Sequence, residues 1–166
     1  MVRMKPIKIL VTAPNLITGG AEKQLIYLIG GLVKRGFDIV LFLFELEGEY
    51  VAEVPNEVKI LTPRSPKPRK ALKGLWKIKE IAKVISREKP DVLYSRLWPT
   101  KVATAFAGLL MRKKVVFSED ITLIWLMDVD EGGRGEGSFN LQIKKAPSQL
   151  ANVVVPVSRS IADELG

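Results

Sequence analysis

Residues 7–35 decide the fold, and they read IKILVTAPNLITGGAEKQLIYLIGGLVKR. The opening IKILVTA is a short apolar run with β-branched members, which predicts a buried strand. The following PNLITGG combines a proline, an asparagine and paired glycines, which predicts a loop. The remainder has leucine and isoleucine at helical spacing, and Gly36 directly after Lys34 and Arg35 is typical of a helix end. The stretch therefore predicts a strand, a turn and a helix.

Apolar runs and amphipathic segments alternate along the rest of the chain. Strands are predicted at residues 39–44, 58–61, 92–95, 114–118 and 153–157, and helices at 71–89 and 100–111. Because the strands are apolar on both faces, helices have to cover both sides of a parallel sheet. The predicted fold class is α/β, with a doubly wound, mostly parallel, Rossmann-like sheet in a single domain over residues 1–166.

The predicted helix at 71–89 has an apolar stripe, which we expect to face the core. The stripe consists of Leu72, Leu75, Trp76, Ile78, Ala82 and Ile85. Lysines 73, 77 and 83 and Arg87 lie away from it, so we expect the opposite side of the helix to face solvent.

Cysteine and histidine are both absent from the 166 residues, and this narrows the chemistry. Disulfides, thiolate catalysis, Ser-His-Asp triads and zinc sites built on Cys or His are excluded for this chain. A general acid or base supplied by it has to be Asp, Glu, Lys or Tyr. The sequence also has no apolar run of about 18 residues, the length a transmembrane helix needs.

The net charge of +8 is concentrated in one segment. Residues 59–101 contain 13 basic and 3 acidic residues, whereas the remainder of the chain is slightly acidic. A localised basic field predicts an anionic partner, and an anionic membrane surface is the candidate. The cations expected to form this surface are Arg64, Lys67, Arg69, Lys70 and Lys73. The alternative is a solvated, lysine-rich helix, typical of a thermophilic protein.

The paired glycines of the first turn are candidate binding residues. In a doubly wound sheet ligands bind beyond the carboxyl ends of the strands, where this turn lies. Gly19 and Gly20 let backbone N–H groups approach a ligand, the helix start favours an anion, and Glu22 follows at once. The alternative is a tight turn that needs glycine only for its backbone shape.

The same turn and three later strands resemble one enzyme family. Residues 9–25, ILVTAPNLITGGAEKQL, resemble the opening of the retaining GT-B glycosyltransferases of family 4, in which a strand leads to a Gly-Gly-Ala-Glu turn. DVLYS at 91–95, VVFSE at 115–119 and NVVVPVS at 152–158 resemble the strands that follow in that family. The resemblance covers nearly the whole chain and corresponds to the N-terminal, acceptor-side domain.

This resemblance implies an enzyme that transfers a sugar, of hexosyltransferase type, with retention of configuration. The substrates would be a nucleotide-sugar donor and a sugar or lipid-linked acceptor, with no metal and no other cofactor. The family binds its donor mainly on a C-terminal Rossmann domain, so we expect this partner domain outside residues 1–166 and no activity from the fragment alone.

The resemblance also indicates site residues. Where many members carry histidine after the fourth or fifth strand, this chain has Ser95-Arg96 and Glu119-Asp120. Glu119 and Asp120 are the candidate catalytic residues, able to hydrogen-bond sugar hydroxyls. The further candidate substrate contacts are Arg96 for a phosphate, and Ser158 and Arg159 at the start of the last predicted helix. Helix capping, loop solvation and a surface ion pair are the structural alternatives.

Two other functions stay open on the sequence. A dinucleotide-binding oxidoreductase module would use Glu45 after the second strand, although its G-x-G-x-x-G turn is missing. A nucleic-acid binder would use residues 59–101, although no recognised motif accompanies the charge, and we expect no nucleic acid. The apolar run ITLIWLM at 121–127 suits the core, a lipid acceptor or a second domain. The expected location is cytoplasmic, at the inner membrane face if the basic segment binds lipid.

Overall fold

The computed structural model describes residues 5–17, 19–96, 100–119 and 153–156. The strands are β1 (Lys8–Ala13), β2 (Asp38–Leu43), β3 (Lys59–Leu61), β4 (Val92–Ser95), β5 (Lys114–Glu119) and β6 (Val153–Pro156). The α-helices are α1 (Gly20–Lys34), α2 (Lys73–Glu88) and α3 (Thr100–Leu110), and short 3-10 helices span Glu49–Glu53 and Lys70–Leu72. The predicted strands and helices in this range are confirmed, with ends that differ by at most two residues.

The six strands form one sheet in the order β3-β2-β1-β4-β5-β6, and each neighbouring pair is parallel. The chain runs outward from β1 to β3, crosses back, and continues outward from β4 on the other side of β1. In the register between these two central strands, Thr12 lies opposite Ser95. The doubly wound prediction is confirmed, and the topological switch point lies between β1 and β4.

Apolar layers cover both faces of the sheet. On one face α1 buries Leu25 and Ile29 against alternate residues of β1 and β2. On the other face α2 and α3 cover Leu10, Phe42 and Phe117, which have no solvent exposure. Full burial of a side chain of this size stabilises the fold by about 1.5–3 kcal/mol relative to exposure. Burial on both faces is the reason why these strands are continuous apolar runs in the sequence.

The core-facing side of α2 differs from the predicted stripe. Its buried apolar residues are Ile81, Val84 and Ile85, of which only Ile85 belonged to the prediction. Leu72 and Leu75 point to solvent, with 56% and 69% of their surface exposed. The stripe prediction is therefore wrong for Leu72 and Leu75, whereas Trp76 and Ile78 are partly buried against the core as predicted.

Two buried carboxylates explain the difference, because they occupy core-facing positions of α2 that an apolar pattern leaves out. Glu80 accepts hydrogen bonds from Ser65 Oγ at 2.6 Å and Lys83 Nζ at 2.5 Å. Burial alone would raise the pKa of Glu80, but its hydrogen-bond donors outweigh burial and hold that pKa below the usual range. Glu88 is likewise held by Lys59 Nζ at 2.9 Å. A satisfied carboxylate is compatible with burial, and sequence periodicity does not reveal its partners.

Candidate functional site

The candidate site lies at the edge where the parallel strands end, which we call the carboxyl edge. At the switch point β1 ends at Ala13 and β4 ends at Ser95, side by side. The helices that follow these strands start at Gly20 and Thr100, so both present their amino termini toward the same edge. Ligands of doubly wound proteins bind at this place, where helix amino termini also favour negative charge.

The loop between β1 and α1 is held by the connection between β2 and β3. Leu16 N–H donates to the Glu47 carbonyl at 2.9 Å, and Tyr50 N–H donates to the Leu16 carbonyl at 3.3 Å. Gly48 lies between these two contacts with φ of +116°, and a Cβ on it would be 1.9 Å from the Leu16 oxygen. Gly48 was missed by the sequence analysis, and the available signal was a single glycine inside an acidic stretch.

The two glycines at the start of α1 have different roles. Gly19 is extended, with φ of 180°, and the Glu22 side chain occupies the space beside it: a Cβ on Gly19 would lie 2.2 Å from Glu22 Oε2. A Cβ on Gly20 would meet no atom within 4 Å, so the fold does not require glycine there. Glu22 thus places a carboxylate in the first turn of α1, where it interacts favourably with the helix dipole.

Arg96 joins this turn to the end of β4. It is buried, with 8% exposure, and its guanidinium Nη2 donates a hydrogen bond to Gln24 Oε1 on α1. The structure therefore brings together two elements that the sequence analysis selected separately, the glycine turn and the residue after β4. Gln24 itself was missed, because nothing in the sequence links it to a residue 72 positions away.

A chain of buried hydroxyl groups lies directly beneath the switch point. Thr12 Oγ1 and Thr104 Oγ1 are 2.7 Å apart, and Thr104 Oγ1 also donates to the Thr100 carbonyl at 2.9 Å. Ser95 Oγ lies 3.2 Å from Thr100 Oγ1. All four residues have no solvent exposure. Side-chain hydrogen bonds thus fix the start of α3 to β1 and β4, and this support was also absent from the sequence analysis.

Replacing Thr104 by valine is expected to lower the free energy of unfolding by about 1–3 kcal/mol, because the buried Thr12 hydroxyl loses its short hydrogen bond and keeps only the Tyr94 carbonyl at 3.5 Å. Denaturant unfolding measures this, with the exposed Thr62→Val as the matched control. The double variant Thr12→Val/Thr104→Val is expected to recover part of the loss, since neither hydroxyl is then left unpaired. A Thr104→Val protein as stable as Thr62→Val would show that the network contributes nothing.

Of the predicted catalytic pair, the structure describes only the backbone of Glu119, which lies at the carboxyl edge. Glu119 is the last residue of β5, and its backbone is paired with that of β6. The side chain of Glu119 lies outside the described residues, as do Asp120, Ser158, Arg159 and the apolar run at 121–127. Their assigned roles stay predictions.

The predicted cations lie in the loop after β3 and at the start of α2: Arg64, Lys67, Arg69, Lys70 and Lys73. Lys67 forms an ion pair with Glu45, and the hydrogen bond from Lys67 holds the pKa of Glu45 below its usual range. This lysine engages the carboxylate on which the oxidoreductase alternative depends. The side chain of Lys70 lies outside the described residues.

The described part of the chain contains neither a metal-binding cluster nor a membrane-spanning helix. In residues 5–17, 19–96, 100–119 and 153–156, no group of three or more metal-ligating side chains is placed to hold an ion. Within the same ranges, no helix combines the length and the apolar character needed to cross a bilayer.

Solved structures share the fold at low sequence identity. HepE of Anabaena in complex with UDP and glucose matches with a TM-score of 0.68 and 19% identity, over 96% of this chain and 40% of that one. MurG of Acinetobacter baumannii matches with a TM-score of 0.61 and 14% identity, over 91% of this chain and 41% of that one. The UDP-GlcNAc 2-epimerase of Methanocaldococcus jannaschii matches with a TM-score of 0.63 and 16% identity, over 97% of this chain and 42% of that one. The chain thus spans about two fifths of the length of these proteins, and the fold alone does not separate transferases from epimerases.

The family comparison makes that distinction. No curated protein matches the sequence closely enough to count as a relative. The model of Glycosyltransferase Family 4, however, matches residues 18–166, which begin at the glycine turn and include β4 and Arg96. With nine tenths of its length matched, the chain belongs to Glycosyltransferase Family 4.

Proposed function

We propose that this chain is the acceptor-side domain of an enzyme that transfers a sugar from a nucleotide-sugar donor to a sugar or lipid-linked acceptor, with retention of configuration. The observation that carries the proposal is the position of Arg96, buried against Gln24 of α1 at the switch point, within a chain of this family. The HepE complex with UDP-glucose supports a nucleotide-sugar as the donor class.

The groups at the switch point suit the two kinds of contact that such a transfer needs. The Glu22 carboxylate, in the first turn of α1, can accept hydrogen bonds from sugar hydroxyls. Arg96 is a fixed cation that complements the negative charge developing on the diphosphate leaving group. In this proposal charge stabilisation comes from side chains and helix dipoles, without a metal or another cofactor.

The remaining predicted residues complete the proposal. Glu119 is the last residue of β5 and Asp120 comes next in the sequence, and in this proposal both contact the reacting sugars. Ser158 and Arg159 follow β6 in the sequence and would add further substrate contacts. Donor binding is assigned to a C-terminal domain outside residues 1–166, so these residues alone would bind acceptor without transferring sugar. The reaction would take place in the cytoplasm.

The test is a transfer assay on the full-length protein with a panel of UDP-, GDP- and ADP-sugars. Arg96→Met is expected to lower kcat/KM by about 100-fold or more, because transition-state charge stabilisation is lost. Arg35→Met, which removes an exposed arginine just past the other end of α1, is expected to leave it unchanged. Arg96→Lys, which keeps the charge, separates loss of charge from loss of packing.

Two results would overturn the proposal. One is a folded full-length protein that releases no nucleotide from any donor in the panel with any sugar or lipid-linked acceptor. The other is an Arg96→Met enzyme that matches Arg35→Met in kcat/KM. Unfolding curves of each variant show whether a loss of activity is a loss of structure.

A further inference from the structure

We propose that the start of α2, together with the loop before it, is a docking surface that inserts into an anionic lipid bilayer. The surface, here the leucine–arginine patch, consists of Leu72, Leu75, Arg64, Arg69 and Lys73. None of these residues belongs to the glycine turn or is Arg96. The proposal concerns membrane binding by the protein and not the sugar-transfer reaction.

Two leucines give this patch its apolar part. Leu72 and Leu75 are 56% and 69% exposed and three residues apart, which places them one above the other on the same side of a helical turn. The apolar residues that this helix buries in the core are instead Ile81, Val84 and Ile85. Since the core does not use these leucines, their apolar surface is available to a partner.

Side-chain hydrogen bonds hold the basic loop against this turn. Glu80 accepts from the Arg64 backbone N–H at 3.1 Å and from Ser65 Oγ at 2.6 Å. Trp76 Nε1 donates to Ser65 Oγ at 3.1 Å, so two successive turns of α2 form hydrogen bonds with the loop. These bonds hold the loop backbone at residues 64 and 65 against α2. Leu72 N–H donates to the Arg69 carbonyl at 3.1 Å, which keeps the backbone of Arg69 next to Leu72.

The charge of the patch is positive, because its three charged side chains are all cations. Arg64 and Arg69 are exposed, and Lys73 is half-buried at the first residue of α2. Among the carboxylates of this region, Glu80 is buried among its hydrogen-bond donors, whereas Glu45 pairs with Lys67 and also attracts Lys73. Exposed leucines bordered by arginine and lysine complement a bilayer with anionic headgroups, which attract the cations while the leucines enter the acyl boundary.

The position of the patch relates it to the site. The loop leaves the carboxyl end of β3, which is the edge at which β1 and β4 also end. Three strand spacings separate β3 from β4, about 14–15 Å at the usual spacing. A bilayer docked here would hold lipid-linked molecules near the switch point. Nucleic acid would bind through the cations alone, and the two leucines would not contribute to its binding.

Sedimentation of the full-length protein with vesicles tests the proposal. We expect binding to phosphatidylcholine vesicles that contain phosphatidylglycerol, little binding to pure phosphatidylcholine, and weaker binding as salt rises from about 0.05 M to about 0.5 M. Arg64→Ser/Arg69→Ser/Lys73→Ser is expected to lower the partition coefficient about 100-fold. Leu72→Ser/Leu75→Ser is expected to lower it about 10-fold, and to abolish the part that persists at high salt.

Each variant has a matched control. Lys34→Ser/Arg35→Ser/Lys114→Ser removes three cations elsewhere on the surface, and Leu109→Ser/Leu110→Ser removes two leucines of similar exposure, 63% and 70%, at the far end of α3. Both controls are expected to bind like the unmodified protein. The proposal is overturned if the unmodified protein ignores anionic vesicles at low salt, if the leucine variant binds like its control, or if the three patch cations are needed for nucleic acid and not for vesicles.

Discussion

Replacing Gly48 by alanine is expected to lower the free energy of unfolding by about 2–4 kcal/mol, a large effect for an exposed residue. The residue has φ of +116°, which side chains rarely adopt, and its Cβ would lie 1.9 Å from the Leu16 carbonyl oxygen and 2.0 Å from the Leu16 carbonyl carbon. Both obstacles are backbone atoms, so no side-chain rotation relieves them. The loop between β1 and α1 would have to move away from the connection that holds it.

Gly36→Ala is the matched control for this substitution. Gly36 also has a positive φ, of +84°, but a Cβ there meets no atom within 4 Å, so alanine costs only about 1 kcal/mol of conformational strain. Denaturant unfolding of the two variants separates the clash from the strain. Gly48→Ala is also expected to reduce sugar transfer by the full-length protein, while Gly36→Ala is not. Equal unfolding free energies for the two variants would mean that the Gly48 contact does not hold the loop.

The fold was predictable because its strands are buried on both faces. Residues such as Leu10 and Val11 pack against opposite layers, and this requires an unbroken apolar run that sequence inspection detects. The order of elements then leaves few topologies, since parallel crossovers are right-handed. The position of the glycine turn was predictable because it follows the first strand directly. Chain connectivity alone places it at the carboxyl edge, independently of side-chain contacts.

The core-facing side of α2 was not predictable from its periodicity. Glu80 and Glu88 occupy buried positions because Ser65 and Lys59, far away in the sequence, satisfy them. The apolar periodicity assigns both glutamates to the solvent-facing side of the helix. It therefore predicts that Leu72 and Leu75 face the core. Partners that satisfy a buried carboxylate are set by tertiary structure, so only the structure shows that these leucines are exposed.

The site was predictable as a place but not as a set of contacts. Arg96 was selected because it follows a strand, and that reasoning holds for any residue at the end of β4. Its contact with Gln24, the contact of Gly48 with the loop at Leu16, and the hydroxyl chain through Thr104 each join residues that are distant in sequence. Such pairs appear only when the strands are placed in register.

Gly20→Val is expected to lower kcat/KM of the full-length protein by about 100-fold or more while leaving its fold intact. The residue is the exposed first position of α1, and a Cβ there meets no atom within 4 Å, so the fold leaves open space where the side chain begins. Helix propensity does not favour glycine over valine either. The added side chain instead occupies the approach to the α1 amino terminus, and a small displacement of bound substrate is enough to cost two orders of magnitude.

The most direct measurement compares kcat/KM of Gly20→Val with that of Gly30→Val under identical donor and acceptor concentrations. Gly30 lies in the same helix, about 15 Å further along, and a Cβ on it also meets no atom within 4 Å. Sugar transfer over the amino terminus of α1 predicts that both variants unfold like the unmodified protein and that only Gly20→Val loses transfer. Full transfer by a folded Gly20→Val enzyme, or an equal loss in both variants, would contradict a substrate site at the switch point.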